Sequence, residues 1–239
     1  MRPRLVTVAH GTRSAQGTRL TQDLVRRVAR RLPEVDVVGS YVELAEPLFS
    51  DVMEQGAGPS VVVPLLLSSG YHVNHDLPEA ARRNPAPVAL TRPLGPHPLL
   101  AAAGAMQLRA AGASRGDAVL LLVAGSRDPR AAVDAAVAGR LLRGHWGSPV
   151  YVGHLTGAGP GVPEVVGRMR ADGHRRIVAS PYLLAPGHFL TKARGLTAAH
   201  GIGLLSDVLA PHPLVVELVA RRYLAATRAA LPAVPSRVA

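Results

Sequence analysis

Cysteine is absent from this 239-residue chain, so neither a disulfide framework nor a thiolate metal site is available. Any metal must be held by nitrogen and oxygen ligands. Aromatic residues make up only 3%, few for the stacking platforms that grip single-stranded nucleic acid. Lysine occurs once, at Lys192, and the rest of the basic charge is arginine. No apolar stretch reaches the length of about twenty residues that a membrane-spanning helix needs without turn residues or charge interrupting it. The opening "MRPRLVTVAHG" passes at once into a strand-and-loop pattern, unlike a signal peptide. A cytoplasmic protein without membrane association is the expectation.

What is present points to a globular chain with an anionic partner. Hydrophobic residues reach 48%, enough for a large core in one domain or two smaller ones. The net charge of +11 favours carboxylate or phosphate groups, by steering and by bidentate pairing. Yet the arginines are spread through "RRVARR", "ARR", "RLLR" and "ARRYLAATR" rather than gathered in one arm. That spread reads as solvated helix faces, so no nucleic-acid partner is expected and a small polyanion remains open.

The chain also repeats itself. "VTVAHGTRSAQ" matches "LLVAGSRDPR", "YVELAEP" matches "HLTGAGP", "VVVPLLLSSGY" matches "IVASPYLLAPGH", and "RPLGPHPLL" matches "DVLAPHPLV". Partners stand 114 residues apart at Gly11 and Gly125, 113 at Pro47 and Pro160, 117 at Pro64 and Pro181, and 115 at His97 and His212. A nearly constant offset at four anchors marks a tandem duplication. The expected units are 1–113 and 118–230, joined through "AAGASRGD", with a disordered tail at 231–239.

Within the first unit, short Val/Leu-rich runs at 4–9, 35–42, 60–67 and 88–91 alternate with amphipathic stretches at 16–31, 47–55, 77–83 and 98–111. Apolar strands alternating with helices predict an α/β fold in which a parallel sheet is covered on both faces. Two such domains, each with a four-stranded sheet flanked by helices, and a cleft between them are expected. Ligands of open parallel sheets bind beyond the carboxyl ends of the strands. His10, Glu43 and the run 68–72 all fall at such ends. Imidazole and carboxylate together suit a divalent ion such as Fe, Co, Ni or Zn, and few protein ligands leave coordination positions open for a metal that is used or handed on. A lone loop histidine is more often a surface residue; three strand-end positions coinciding favour function for His10 and His72. His75 precedes "DLPE", which reads as an N-cap box at Asp76. His97 and His212, in matching "PHPL" turns, read as structural. His145, His154, His174 and His200 carry no pattern.

Together, "VAHGTR", "YVELAEP", "VPLLLSSGYHVNHDLPE" and "PLGPHPLL" resemble the CbiX/SirB-type sirohydrochlorin chelatases, a family of class II, ATP-independent tetrapyrrole chelatases, in its two-domain form. The resemblance implies insertion of Fe2+ or Co2+, or Ni2+ by the same ligands, into sirohydrochlorin on a siroheme or cobalamin route. The metal is then a substrate, with no permanently bound cofactor. It places the metal-side histidines at His10 and His72 and the acidic residue at Glu43, with Glu46 beside the substrate. The loop that cradles the macrocycle becomes Leu67, Ser68, Ser69, Gly70 and Tyr71. Members built from one repeat work as homodimers, so a tandem chain is expected to be a monomer with an internal pseudo-dimer. Sirohydrochlorin carries eight carboxylate side chains, which gives the arginine excess a use, with Arg13 at the cleft rim pairing with them. His10 would serve as base and transient ligand, and Glu43 as proton acceptor or as the partner that sets imidazole basicity. The second half has Ala124 opposite His10 and Thr156 opposite Glu43, which predicts one working site per chain; a contribution from His188 stays open. A non-catalytic metal or tetrapyrrole carrier on the same scaffold is the alternative.

Overall fold

The computed structural model describes residues 2–56, 58–70 and 75–230. The tail 231–239, expected to be disordered, lies outside them. Strands β1 (Arg4–Ala9), β2 (Val37–Tyr41), β3 (Ser60–Pro64) and β4 (Val88–Leu90) form a parallel sheet in the order β2-β1-β3-β4. Strands β5 (Ala118–Val123), β6 (Val150–His154) and β7 (Ile177–Tyr182) form a second, in the order β6-β5-β7. Helices α1 (Ala15–Arg31), α2 (Phe49–Glu54), α3 (Leu77–Ala81) and α4 (Pro98–Ala110) belong to the first half. Helices α5 (Pro129–Trp146), α6 (Val162–Ala171), α7 (His188–Ala199) and α8 (Pro213–Ala230) belong to the second.

The continuous apolar strands are explained by burial on both faces. Leu5, Val61 and Val63 turn inward, as do Val119, Leu121 and Val123, into one core shared by both halves. Their neighbours Val6, Val8 and Val62 turn outward onto Phe49, Met53 and Leu77. Leu120 and Leu122 likewise meet Val162, Val166 and Met169. The period of two thus feeds different cores from one strand.

The duplication is repeated down to single hydrogen bonds. Tyr41 N–H donates to Pro47 O at 3.0 Å, and His154 N–H to Pro160 O at 2.9 Å. His97 and His212 each open their helix, with Nδ1 accepting the N–H of Leu99 or Leu214 at 3.1 Å. Both matched histidines are therefore helix caps, the structural use read from their repetition. Two expectations need correction. The second sheet has three strands, with its fourth position reduced to one bridge, Ala179 to Leu205. Carried back in register, that bridge sets Gly203 opposite Ile177, where the first half has Val88 opposite Ser60, and glycine is poor at holding a strand. Asp76 does not cap α3: its backbone is helical (φ −68°, ψ −43°) and its side chain makes no capping hydrogen bond, whereas a cap needs extended geometry.

The last helix of each half crosses to the other. Helix α4 packs on α5 and β7, while α8 packs on α1 and β3. The sequence of α4, PLLAAAGAMQLRA, is apolar almost all round, as suits a helix buried between others. Gln107 Nε2 donates to Val208 O at 3.2 Å, and the Arg109 guanidinium lies 5.5 Å from the centre of the Trp146 ring. In return Tyr223 Oη donates to Pro3 O at 2.7 Å, and Glu217 pairs with Arg31 at 3.2 Å. No helix among the described residues is long and apolar enough to cross a membrane.

Candidate functional site

The turn after β1 is shaped by backbone demands. Gly11 has φ +98°, and a Cβ there would lie 1.7 Å from the carbonyl oxygen of Glu43. Only glycine permits that approach. Thr12 Oγ1 accepts the Ser14 N–H at 3.1 Å, and Ser14 Oγ accepts the Gly17 N–H at 3.2 Å, starting α1. The turn after β5 uses the same devices. Gly125 has φ +89°, with a Cβ 1.8 Å from Thr156 O, Ser126 Oγ accepts the Asp128 N–H at 3.1 Å, and Asp128 caps α5 through the Arg130 N–H at 2.9 Å.

Against this common frame the two turns differ in chemistry. Glu43 N–H donates to His10 O at 3.1 Å, and His10 Nε2 stands 3.7 Å from Glu43 Oε1. That separation is an ion-pair distance, beyond a direct hydrogen bond, and both side chains are about half exposed. In the second half the Thr156 N–H makes the matching bond to Ala124 O at 2.9 Å, and the Thr156 hydroxyl turns onto the same oxygen at 2.8 Å. Neither an imidazole nor a carboxylate remains there.

His10 and Glu43 face a cavity of about 1470 Å3 between the halves. Its walls include Arg13, Leu67, Ser68, Ser69 and Gly70 from the first half and Arg127, His188 and Arg194 from the second. The cleft, the strand-end location and six of the anticipated positions besides Glu43 thus come together. Glu46 is not among the described residues lining this wall: its Oε2 accepts the Leu48 N–H at 3.0 Å, just ahead of α2. Tyr71 and His72 lie outside the described residues. Among the described residues no group of three His, Asp or Glu side chains is placed to hold a metal ion.

Among the described residues, three further histidines line the cavity: His75, His154 and His188. His154 carried no repeat pattern, yet it ends β6, and the strand-end criterion used for His10 would have found it. Its Nδ1 is 3.4 Å from Pro160 O, and its buried Nε2 has no hydrogen-bond partner among the described residues. His188 opens α7 directly after Gly187.

Comparison with known proteins bears on the family and the fold. The model of the CbiX family matches residues 4–111 and again 118–226. A sirohydrochlorin ferrochelatase of Priestia megaterium is 27% identical over 199 residues, covering 78% of this chain and 75% of the relative. A sirohydrochlorin cobaltochelatase of Methanococcoides burtonii (strain DSM 6242) is 25% identical over 114 residues, covering 41% of this chain and 87% of its own. Among solved structures, SirB from Bacillus subtilis with Fe3+ superposes with a TM-score of 0.79 at 25% identity, covering 96% of this chain and 97% of that one.

Proposed function

Since the chain belongs to the CbiX family, we propose that it inserts a divalent metal, Fe2+ or Co2+, into sirohydrochlorin without ATP, in siroheme or cobalamin biosynthesis. The observation that carries this reading is the His10–Glu43 pair, 3.7 Å apart, on a cleft large enough for a macrocycle and walled by both halves. Metallation exchanges two pyrrole N–H protons for one dication. An imidazole at the rim can take a proton or lend a lone pair to the arriving ion. A carboxylate facing it can accept the second proton or orient the ring. His72 and Tyr71 keep the roles the family resemblance gives them, His72 as second metal-side ligand and Tyr71 in the macrocycle loop. Arg13, Arg127 and Arg194 provide three cations on the cavity wall for the substrate's carboxylates. Glu46 keeps the place beside the substrate that the family resemblance gives it, with Oε2 accepting the Leu48 N–H and Oε1 left to act.

The metal is substrate in this reading, and no resident cofactor is required. One site operates per chain, since Ala124 and Thr156 supply neither base nor ligand. The two repeats, 1–113 and 118–230, act as an internal pair in a monomeric cytoplasmic enzyme. His10→Ala is expected to retain sirohydrochlorin binding and to lower metallation at least about 100-fold, followed by the visible spectrum with Fe2+ or Co2+. Wild-type turnover in that variant would sink the assignment. Release of free metallated product over many turnovers supports an enzyme; one equivalent of product retained on the protein would instead select a carrier.

A further inference from the structure

The loop Leu67–Gly70 follows β3 in the first half, yet two of its backbone groups are held by side chains of the second. Asp134, on α5, accepts the Ser69 N–H through Oδ2 at 2.7 Å. Tyr182, the last residue of β7, donates its hydroxyl to Leu67 O at 3.3 Å. Gly95 makes room for this contact: a Cβ there would lie 2.2 Å from Leu67 O and 2.3 Å from Tyr182 Oη.

The duplication supplies an internal control. Counted from the matched caps Ser14 and Asp128, the counterpart of Asp134 is Leu20; counted from Pro64 and Pro181, the counterpart of Tyr182 is Leu65. The counterpart of Ser69 is Pro186, which has no N–H to offer. The counterpart of Leu67 is Leu184, whose carbonyl takes the backbone N–H of Ala210 at 2.9 Å within its own half. In the first half the matching Gly95 N–H goes to Leu66 O instead, at 3.3 Å. For the Ser69–Asp134 bond, donor and acceptor are thus missing together on the other side, and for the Tyr182–Leu67 bond the donor is missing and the acceptor is used within its own half. A fold requirement common to both halves would have kept them in both.

We propose that Asp134 and Tyr182 are positioning residues, through which the half lacking the His–Glu pair sets the shape of the loop that receives the macrocycle. This rests on the chelatase reading above, which assigns that loop to sirohydrochlorin. A hydrogen bond from a backbone N–H to a carboxylate is among the stronger kinds. Burial, with Asp134 acting in the same direction, holds the Tyr182 phenol well above the usual tyrosine range, so it remains a donor throughout the working pH range.

The test uses the full chain with Asp134→Ala, Asp134→Asn and Tyr182→Phe. Two quantities are read: amide hydrogen exchange in peptides spanning 65–70, and the Kd of sirohydrochlorin measured spectrally without metal. In Asp134→Ala the loop amides are expected to exchange at least about tenfold faster and the macrocycle to bind about tenfold more weakly. Asp134→Asn, whose amide oxygen still accepts the Ser69 N–H, should recover most of both, and Tyr182→Phe should show a smaller loss of the same kind. Unchanged exchange in Asp134→Ala overturns the clamp. Faster exchange with wild-type binding overturns its role in positioning. A wild-type protein that binds sirohydrochlorin but never metallates it refutes the chelatase reading alone, because the exchange and binding results still decide the clamp.

Discussion

His97 and His212 show how a residue type suited to catalysis is used for folding. Each is neutral when its Nδ1 accepts a backbone N–H, and burial lowers the pKa of both, with Arg222, Arg92 and Arg221 adding to the effect at His97. The folded state therefore refuses a proton that the unfolded chain accepts below about pH 6.5. Stability from these caps is complete above that pH and is lost as the pH falls through 6.5 towards the lowered folded values. The double variant His97→Asn with His212→Asn keeps a capping side chain that does not titrate. It is expected to match wild-type stability at pH 8 within about 1 kcal/mol. Its urea midpoint should fall less steeply than wild type between pH 6.5 and 5, and an equally steep fall would contradict the assignment. Repetition made this pair legible in the sequence. His154 ends its strand as His10's neighbour does and was within reach of the strand-end criterion; His188 was less legible, because whether a residue that opens a helix faces the cleft depends on how the two halves meet.

At the level of elements, the alternation of apolar runs with amphipathic stretches predicted the strands closely: β1 spans the expected 4–9, and β5 begins at the expected 118. The fourth strand of the second sheet was expected from repetition alone; the chain there offers Ile202 between Gly201 and Gly203 and then Leu204 and Leu205, too short a glycine-free run to pair beyond one bridge. The helix exchange was hidden for a different reason. Helices α4 and α8 end their repeats in sequence, and periodicity cannot say whose sheet a helix covers. Because α8 buries against α1 and β3, residues 1–113 alone lack part of the cover of their own sheet. Expressed separately, 1–113 and 114–230 are each expected to show little cooperative unfolding by circular dichroism. Expressed together, they should co-purify as a one-to-one complex with a sharp transition. A fully folded, monomeric 1–113 fragment would contradict this dependence.

For the whole molecule, a charge of +11 and three arginines on the cavity wall make approach of a polycarboxylate dependent on salt. Raising salt from roughly 50 mM to roughly 500 mM is expected to lower kcat/KM for sirohydrochlorin about tenfold while kcat changes little, since screening acts on encounter more than on the bound complex. Arg13→Ala and Arg127→Ala should each flatten that dependence. A salt-independent kcat/KM would show that the arginines serve the surface alone. The composition disclosed the charge but not its focus, which arises only when loops from both repeats share one wall.

The exchanged helices also bear on descent. A duplicated catalytic domain that loses its histidine and acid would ordinarily be free to disappear. Here the second copy, with Ala124 and Thr156 at the matching positions, carries the helix that packs on the first copy's sheet, and it holds the loop Leu67–Gly70. Deletion would remove the structural support along with the redundancy, so decay of one site and retention of its domain go together. Two halves that repeat each other in sequence each depend on a helix supplied by the other.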